Sequence, residues 1–329
     1  MLEIALIGAG RIGQIHGRNI AQHPGARLRW VTDVNAEAAG KLAQALGAQS
    51  GTDPKAAIQD PAVNAVAICS PTDTHADLIE VAAKAGKAIF CEKPIDLSLE
   101  RVDRCLDVVK KAGVTMMIGF NRRFDTSFAA IQAGIRGGKI GKLETLIITS
   151  RDPGPPPIAY IKQSGGLFRD MMIHDFDMAR WLLGEAPTEI YATASNLVDP
   201  EIGKAGDIDT AMVVLKTRSG AIGQISNSRR ATYGYDQRIE AFGSKGMLQA
   251  GNQVPTTVAF SGESGVTGDK PLHFFLERYA EAYRAELQHF VDCCLGKAKP
   301  ETSIEDGRNA LALAEAAVQS LKTGQPVKL

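Results

Sequence analysis

Three short constellations in this chain bring together residue types that do chemistry. The first is Gly8-Ala9-Gly10-Arg11-Ile12-Gly13, a G-x-G-x-x-G spacing that directly follows an apolar run and opens an amphipathic stretch. In that context Gly8 permits a tight turn, Gly10 lets a pyrophosphate approach the backbone, and Gly13 lets helix and strand pack closely. The amides of Arg11, Ile12 and Gly13 then face an anion at a helix N-terminus. Asp33 closes the next apolar run, Arg29-Trp30-Val31-Thr32-Asp33. A carboxylate there accepts hydrogen bonds from ribose hydroxyls and repels a 2′-phosphate. Because Val34, Asn35 and Ala36 follow instead of an arginine, the expected cofactor is NAD and not NADP. The segment Ser70-Pro71-Thr72-Asp73-Thr74-His75 follows a third such run, and Ser70, Thr72 and His75 are expected beside the cofactor.

The second constellation is Glu92-Lys93-Pro94, again just after an apolar run, Ala88 to Cys91. Glu92 and Lys93 are expected to face the nicotinamide crevice. A lysine there holds a substrate hydroxyl and stabilises the alkoxide that develops on it. Pro94 keeps Lys93 extended and admits a cis bond, which fixes the side chain's aim. The third is Asp170-x-x-x-His174, inside a helix that follows Gly165-Gly166 and runs through Trp181 to Gly184. On one helix those two residues share a face, and a carboxylate beside an imidazole orients it and raises its basicity. This gives a general base for a hydroxyl proton while hydride leaves. Asp177, three residues on, could share the face. His16, His23, His273 and His289 lack such an arrangement and are read as structural or exposed.

The elements that must position these groups follow from the periodicity. Through residue 120, apolar runs (Ile4 to Ile7, Leu28 to Thr32, Ala65 to Cys69, Ala88 to Cys91, Thr115 to Ile118) alternate with amphipathic stretches. That alternation predicts an α/β Rossmann domain, a doubly wound parallel sheet over residues 1–120. Residues 121–329 read as an α+β substrate and oligomerisation domain with a large, mostly antiparallel, open sheet. Its strands include Leu143 to Ser150, Glu189 to Ser195, Thr210 to Lys216 and Ala221 to Ser228. Hairpin turns are expected at Gly220, Gly243 to Gly246 and Gly251-Asn252. Helices Glu277 to Cys294 and Ile304 to Leu321 could lean back on the first domain.

Composition narrows the function classes. With 37 Lys plus Arg against 37 Asp plus Glu among 329 residues, there is no cationic excess to neutralise nucleic acid or an anionic membrane. No apolar stretch is long enough to span a bilayer and no cationic leader is visible, so the protein is expected in the cytoplasm. Five cysteines (Cys69, Cys91, Cys105, Cys293, Cys294) form no C-x-x-C pair and have no histidines at ligand spacing. Neither a metal site nor cysteine catalysis is expected.

With these motifs in this order, the chain resembles the glucose-fructose oxidoreductase/inositol dehydrogenase/MocA family over essentially its whole length. Gly8 to Gly13, Glu92-Lys93-Pro94 and Asp170 to His174 match that family's motifs, and the resemblance implies that Lys93, Asp170 and His174 form the catalytic set. Gly119 to Asp125, Thr149 to Pro153 and Ser164 to Asp177 are most similar to the inositol 2-dehydrogenase branch. This implies NAD-dependent oxidation of a ring hydroxyl of myo- or scyllo-inositol to an inosose. The resemblance also implies that Asn121 and Arg122 lie near nicotinamide and substrate, and that Arg151, Asp152 and the proline-rich loop to Pro157 line the polyol pocket. It further implies that either Tyr233 or Tyr235 stands beside substrate, and that the oligomer is a homotetramer formed through the open sheet. An aldose 1-dehydrogenase of the same fold, acting on a hexopyranose, and a non-enzymatic NAD-binding sensor are the rival readings.

Overall fold

In the computed structural model, which describes Met1–Leu329, internal contacts divide the chain into two units. Met1–Phe124 with Glu281–Leu311 form one, and Asp125–Ala280 with Ala312–Leu329 form the other. The first unit runs β1 (Leu2–Ile7), α1 (Arg11–Gln22), β2 (Ala26–Thr32), α2 (Ala36–Leu46), β3 (Gln49–Gly51), α3 (Pro54–Gln59), β4 (Ala65–Ile68), α4 (His75–Lys84), β5 (Ala88–Cys91), α5 (Leu99–Ala112) and β6 (Met116–Ile118). Every pairing in this sheet is parallel, and the strand order is β3-β2-β1-β4-β5-β6. β4 and β6 are buried at every residue, as expected where helices cover both faces of a parallel sheet. The helices have local stop and start signals. Asn35 accepts hydrogen bonds from the Glu37 and Ala38 amides to open α2, and Gly47 closes it at a φ of 70°, a left-handed conformation that glycine adopts without penalty. The strand order reverses between β1 and β4, so the turn carrying Gly8 and the turn carrying Ser70 both emerge at the crevice where such sheets bind ligands.

The second unit contains α6 (Thr126–Arg136), β7 (Leu143–Arg151), α7 (Ile158–Ser164), α8 (Leu167–Asp170), α9 (Ile173–Leu183), β8 (Pro187–Ser195), α10 (Pro200–Lys204), β9 (Thr210–Thr217), β10 (Ile222–Ser228), β11 (Asp236–Gly243) and β12 (Gly246–Ala250). A small hairpin of β13 (Ala259–Gly262) and β14 (Gly265–Gly268) follows, then α11 (Phe275–Arg278). After α12 (Ala280–Cys294) and α13 (Ile304–Thr323), β15 (Val327–Lys328) adds the last strand. The seven-stranded sheet has the order β12-β11-β7-β10-β9-β8-β15 and is antiparallel except for the β7–β10 pair. Along β9 buried and exposed residues alternate, the period-2 pattern of a sheet covered on one face. α9 packs on β7 and β10, and α6 on β11 and β12. α12 is held in the first unit's core: Leu287, Phe290 and Val291 pack in one apolar cluster with Leu2, Ile4, Leu6 and Leu28.

Three local expectations are corrected. The helix expected from Gly166 through Trp181 is two helices, α8 and α9, with Met171 and Met172 between them. Met172 N bonds to Leu167 O, five residues back, and that wider turn interrupts the regular ladder. Gly251-Asn252 is not a hairpin turn, because the Asn252 side chain is used to bind the Gln237 amide and the Asp236 carboxylate. The helix expected from Glu277 to Cys294 is interrupted at Tyr279, between α11 and α12.

Candidate active site

In the first unit, the three glycines of the N-terminal motif have three different surroundings. Gly8 has a φ of +101°, and a Cβ there would sit 2.5 Å from Cys69 O. A Cβ on Gly13 would lie 2.0 Å from Gly8 O, a backbone atom that cannot move aside. Gly10 has nothing within 4 Å of its would-be Cβ: the protein leaves space open at the start of α1, and a helix N-terminus is a ready site for an anion. Asp33, half-buried, has both oxygens on backbone amides. Oδ2 accepts from Ala9 N at 2.7 Å and Oδ1 from Asn35 N at 2.8 Å. Each oxygen keeps a second lone pair for a ribose hydroxyl. Beside it, a cleft of about 450 Å³ is lined by Ala9, Gln14, Arg18, Asn35 and Lys41 among others.

At the edge of β4, the Ser70 hydroxyl bonds to Thr74 Oγ1 at 2.6 Å, and Thr72 opens a short 3-10 turn. His75 is 1% exposed, with Nδ1 2.7 Å from Pro94 O and Nε2 2.8 Å from Ser70 O. The ring lies between the Ser70 turn and the Lys93-Pro94 turn, and in its neutral form it donates its one N–H to one of these carbonyls. Burial pushes its ionisation below the usual imidazole range, outweighing those two carbonyls. The Lys93–Pro94 bond is cis and Lys93 is half-buried. Glu92 is buried and bonds through Oε1 to His16 Nε2 at 2.7 Å, so His16 is not the partnerless structural histidine expected. Asn121 and Arg122 are also buried, and Asn121 Nδ2 has no hydrogen-bond partner. A buried donor left unmade is costly, and a ligand oxygen would satisfy it. The open space at Gly10 and the spare lone pairs of Asp33 fit a dinucleotide.

In the second unit, Asp170 ends α8 and His174 lies in the first turn of α9, both half-buried. Tyr160 donates its hydroxyl to Asp170 Oδ1 at 2.9 Å. Asp175 and Asp177 are fully buried, and Asp175 accepts from Asn227 Nδ2 at 3.0 Å, a structural role. Arg151 joins Tyr233 and Asp236, neighbours 82 or more residues further on, in a second polar group. Arg151 Nη1 donates to the Tyr233 hydroxyl at 3.1 Å, and that hydroxyl donates to Asp236 Oδ2 at 2.6 Å. Burial alone would raise the Asp236 carboxyl, but hydrogen bonds from Arg238, Tyr233 and Asn252 outweigh it and hold the group below its usual range. Tyr233 is 40% exposed, whereas Tyr235 is 6% exposed in an aromatic cluster with Phe274 and Tyr279. Asp152 continues from β7, its amide bonded to Ser228 O at 2.9 Å.

Two buried charged residues were absent from the sequence expectations. Glu286 on α12 is 0% exposed and neither carboxylate oxygen has a partner. Burial first, and the charge of Glu92 second, push its carboxyl well above the usual range. A signal existed: Tyr283, Glu286, Leu287 and Phe290 occupy one helical stripe of buried residues. The other is Arg229, just past β10, for which sequence spacing gives none. The cysteines are free thiols; burial raises all five, Cys105 to about 11 and Cys294 to about 12, which keeps them poor nucleophiles. No helix is long and apolar enough to cross a membrane.

Comparison with known proteins matches two family models along the chain. Residues 2–120 match the oxidoreductase family with an NAD-binding Rossmann fold, and residues 128–249 match the GFO/IDH/MocA C-terminal domain. The chain is 52% identical to the inositol 2-dehydrogenase of Rhizobium meliloti, covering 100% of this chain and 99% of that one. It is 50% identical to the myo-inositol 2-dehydrogenase of Thermotoga maritima, covering 100% and 98%. The crystal structure of scyllo-inositol dehydrogenase from Lactobacillus casei with bound NAD(H) and scyllo-inositol superimposes with a TM-score of 0.93 at 31% identity, over 100% of this chain and 99% of that one.

Proposed function

The chain belongs to the GFO/IDH/MocA oxidoreductase family, and from that premise we propose that it oxidises one ring hydroxyl of an inositol to the corresponding inosose with NAD. The observation that carries this reading is the end-to-end match, at 52% and 50% identity, to two inositol 2-dehydrogenases. NAD, when bound, accepts the hydride of the carbinol carbon. Gly8, Gly10, Arg11, Ile12 and Gly13 receive its pyrophosphate, and Asp33 the adenosine ribose. Ser70, Thr72, Glu92, Lys93 and Arg122 stand at the nicotinamide end, and His75 lies between the two turns there.

The protein's own groups handle the proton. Lys93 holds the reacting hydroxyl oxygen and stabilises it as it becomes an alkoxide. His174, oriented by Asp170, takes the hydroxyl proton. Asn121, Arg151, Asp152 and Tyr233 recognise the remaining hydroxyls. Tyr233 is assigned over Tyr235 because the residue is exposed and its hydroxyl already sits in the Arg151–Asp236 network. A site of such donors and acceptors strongly rejects a ring that lacks a matching hydroxyl.

The open face of the large sheet supports a homotetramer. Ile147, Val214 and Tyr191 lie in one cross-strand row on β7, β9 and β8, with Gln224 of β10 between the first two, and are 37%, 43% and 39% exposed, a partly apolar surface suited to a second copy of this face. Unpaired buried thiols suit a reducing compartment, and the activity is assigned to the cytoplasm.

Initial rates of NADH formation test the reading, with NAD or NADP against myo-inositol, scyllo-inositol and D- and L-hexoses. An inositol with NAD should give the highest kcat/KM. A hexose that clearly wins would turn the site into an aldose dehydrogenase, and reduction by none of them would favour a sensor.

A further inference from the structure

We propose that Arg229 is a positioning residue for the Asp170 carboxylate, a buried cation that keeps it aimed; this rests on the reading of Asp170 and His174 as the proton-handling pair. Arg229 follows the last residue of β10, and its amide is tied to Asp209 O at 2.9 Å. Its side chain is 1% exposed, and Nη2 lies 3.9 Å from Asp170 Oδ2 and 3.7 Å from Asp207 Oδ2. Those are ion-pair distances beyond hydrogen-bond range, and neither Nε nor Nη2 has a hydrogen-bond partner. Arg308, by contrast, forks both oxygens of Asp103 at 2.7 and 3.3 Å. A guanidinium fully out of water and held by charge instead of a fork is an expensive way to brace a fold. It is an effective way to hold a neighbouring carboxylate in one orientation, because burial strengthens the field it exerts.

What Arg229 faces explains the arrangement. Asp207 Oδ1 accepts the Leu167 amide at 3.0 Å and so holds the start of α8. Gly166, at a φ of +83°, makes room, since a Cβ there would lie 2.6 Å from that oxygen. Asp170 is the last residue of the same four-residue helix. One cation therefore faces the carboxylate that begins α8 and the carboxylate that ends it, while Tyr160 holds the other Asp170 oxygen. With Asp170 held in one orientation, it can fix the imidazole's tautomer and basicity.

The test is the pH profile of kcat/KM for inositol with NAD, alongside kcat, KM and NAD affinity, in wild type, Arg229→Gln, Arg229→Lys and Asp207→Asn. Removing a positive charge moves neighbouring ionisations to higher pH, and removing a negative one moves them lower. Arg229→Gln should lose about tenfold or more in kcat with NAD affinity unchanged, and its acid limb should move up by about half a pH unit or more. Arg229→Lys keeps the charge and should restore the limb and most of the kcat. Asp207→Asn, whose amide oxygen can still accept the Leu167 amide, should move the limb the opposite way. If Arg229→Gln does not fold, Asp207→Asn and Arg229→Lys decide: an unmoved limb in the first, or a limb displaced upward in the second, overturns the proposal. So does a folded Arg229→Gln with the wild-type limb. A wild type that turns over no inositol would instead defeat the underlying functional reading, and it shows as such before any variant is compared.

Discussion

The first unit offers backbone to the phosphates and ribose of its expected cofactor, and the second offers the substrate side chains that hold one another. Around Gly8 to Gly13 the recognition elements are amides, carbonyls and the absence of Cβ atoms, and even Asp33 is pinned by the Ala9 and Asn35 amides. In the second unit, Tyr160–Asp170–Arg229–Asp207 and Arg151–Tyr233–Asp236 are chains of polar side chains drawn from α7, α8, β7 and the loops around β9, β10 and β11. A backbone cradle suits a cofactor whose phosphates and riboses are always the same. Side-chain networks suit substrate choice and proton handling, because single replacements retune them without refolding the unit.

One methyl group should break the backbone half. Gly13→Ala puts its Cβ against Gly8 O, and we expect about 3 kcal/mol of lost stability together with loss of NAD binding, read by denaturant unfolding and calorimetric titration. Gly10→Ala sharpens the same point, since its Cβ meets no protein atom. Its unfolding should match the wild type's while NAD affinity falls by about tenfold or more, so equal affinity would show that the open space is not the pyrophosphate's.

A smaller effect is expected beneath the cofactor half, where Glu286 and the His16–Glu92 pair are buried together in the first unit. Glu286 has its folded ionisation raised well above 4.5, so the folded state keeps a proton that the unfolded chain releases as pH rises. Its contribution is fully present below the unfolded value and is lost as pH climbs through the folded one. Glu286→Gln keeps the shape and removes the titration. Between pH 5 and pH 8 its Tm should therefore fall less than the wild type's, by about 2–4 °C; parallel curves would mean that Glu286 does not hold a proton in the fold.

The same contrast decides what could be read from sequence. Gly8 to Gly13, Asp33, Glu92-Lys93-Pro94 and the alternating elements of the parallel sheet were legible because each depends on local spacing: a strand, a turn, the start of a helix. The break between α8 and α9 was not, since Met171 and Met172 carry no helix-stopping signal and the turn is imposed by tertiary packing. The partnership of His16 with Glu92 spans 76 residues, and nothing in either neighbourhood announces it. Glu286 was visible as a charge on an apolar stripe. Arg229 was not, because its meaning comes only from the two carboxylates it faces. Tyr233 and Tyr235, alike in sequence, were separated by burial alone.

The division of labour is tested most directly by measuring NAD affinity and inositol turnover together in His174→Ala. The account predicts NAD affinity within about twofold of wild type, because the backbone cradle is untouched, and a kcat lower by about 10³-fold, the scale of a lost general base. Turnover close to wild type, or NAD affinity falling in step with turnover, would contradict it.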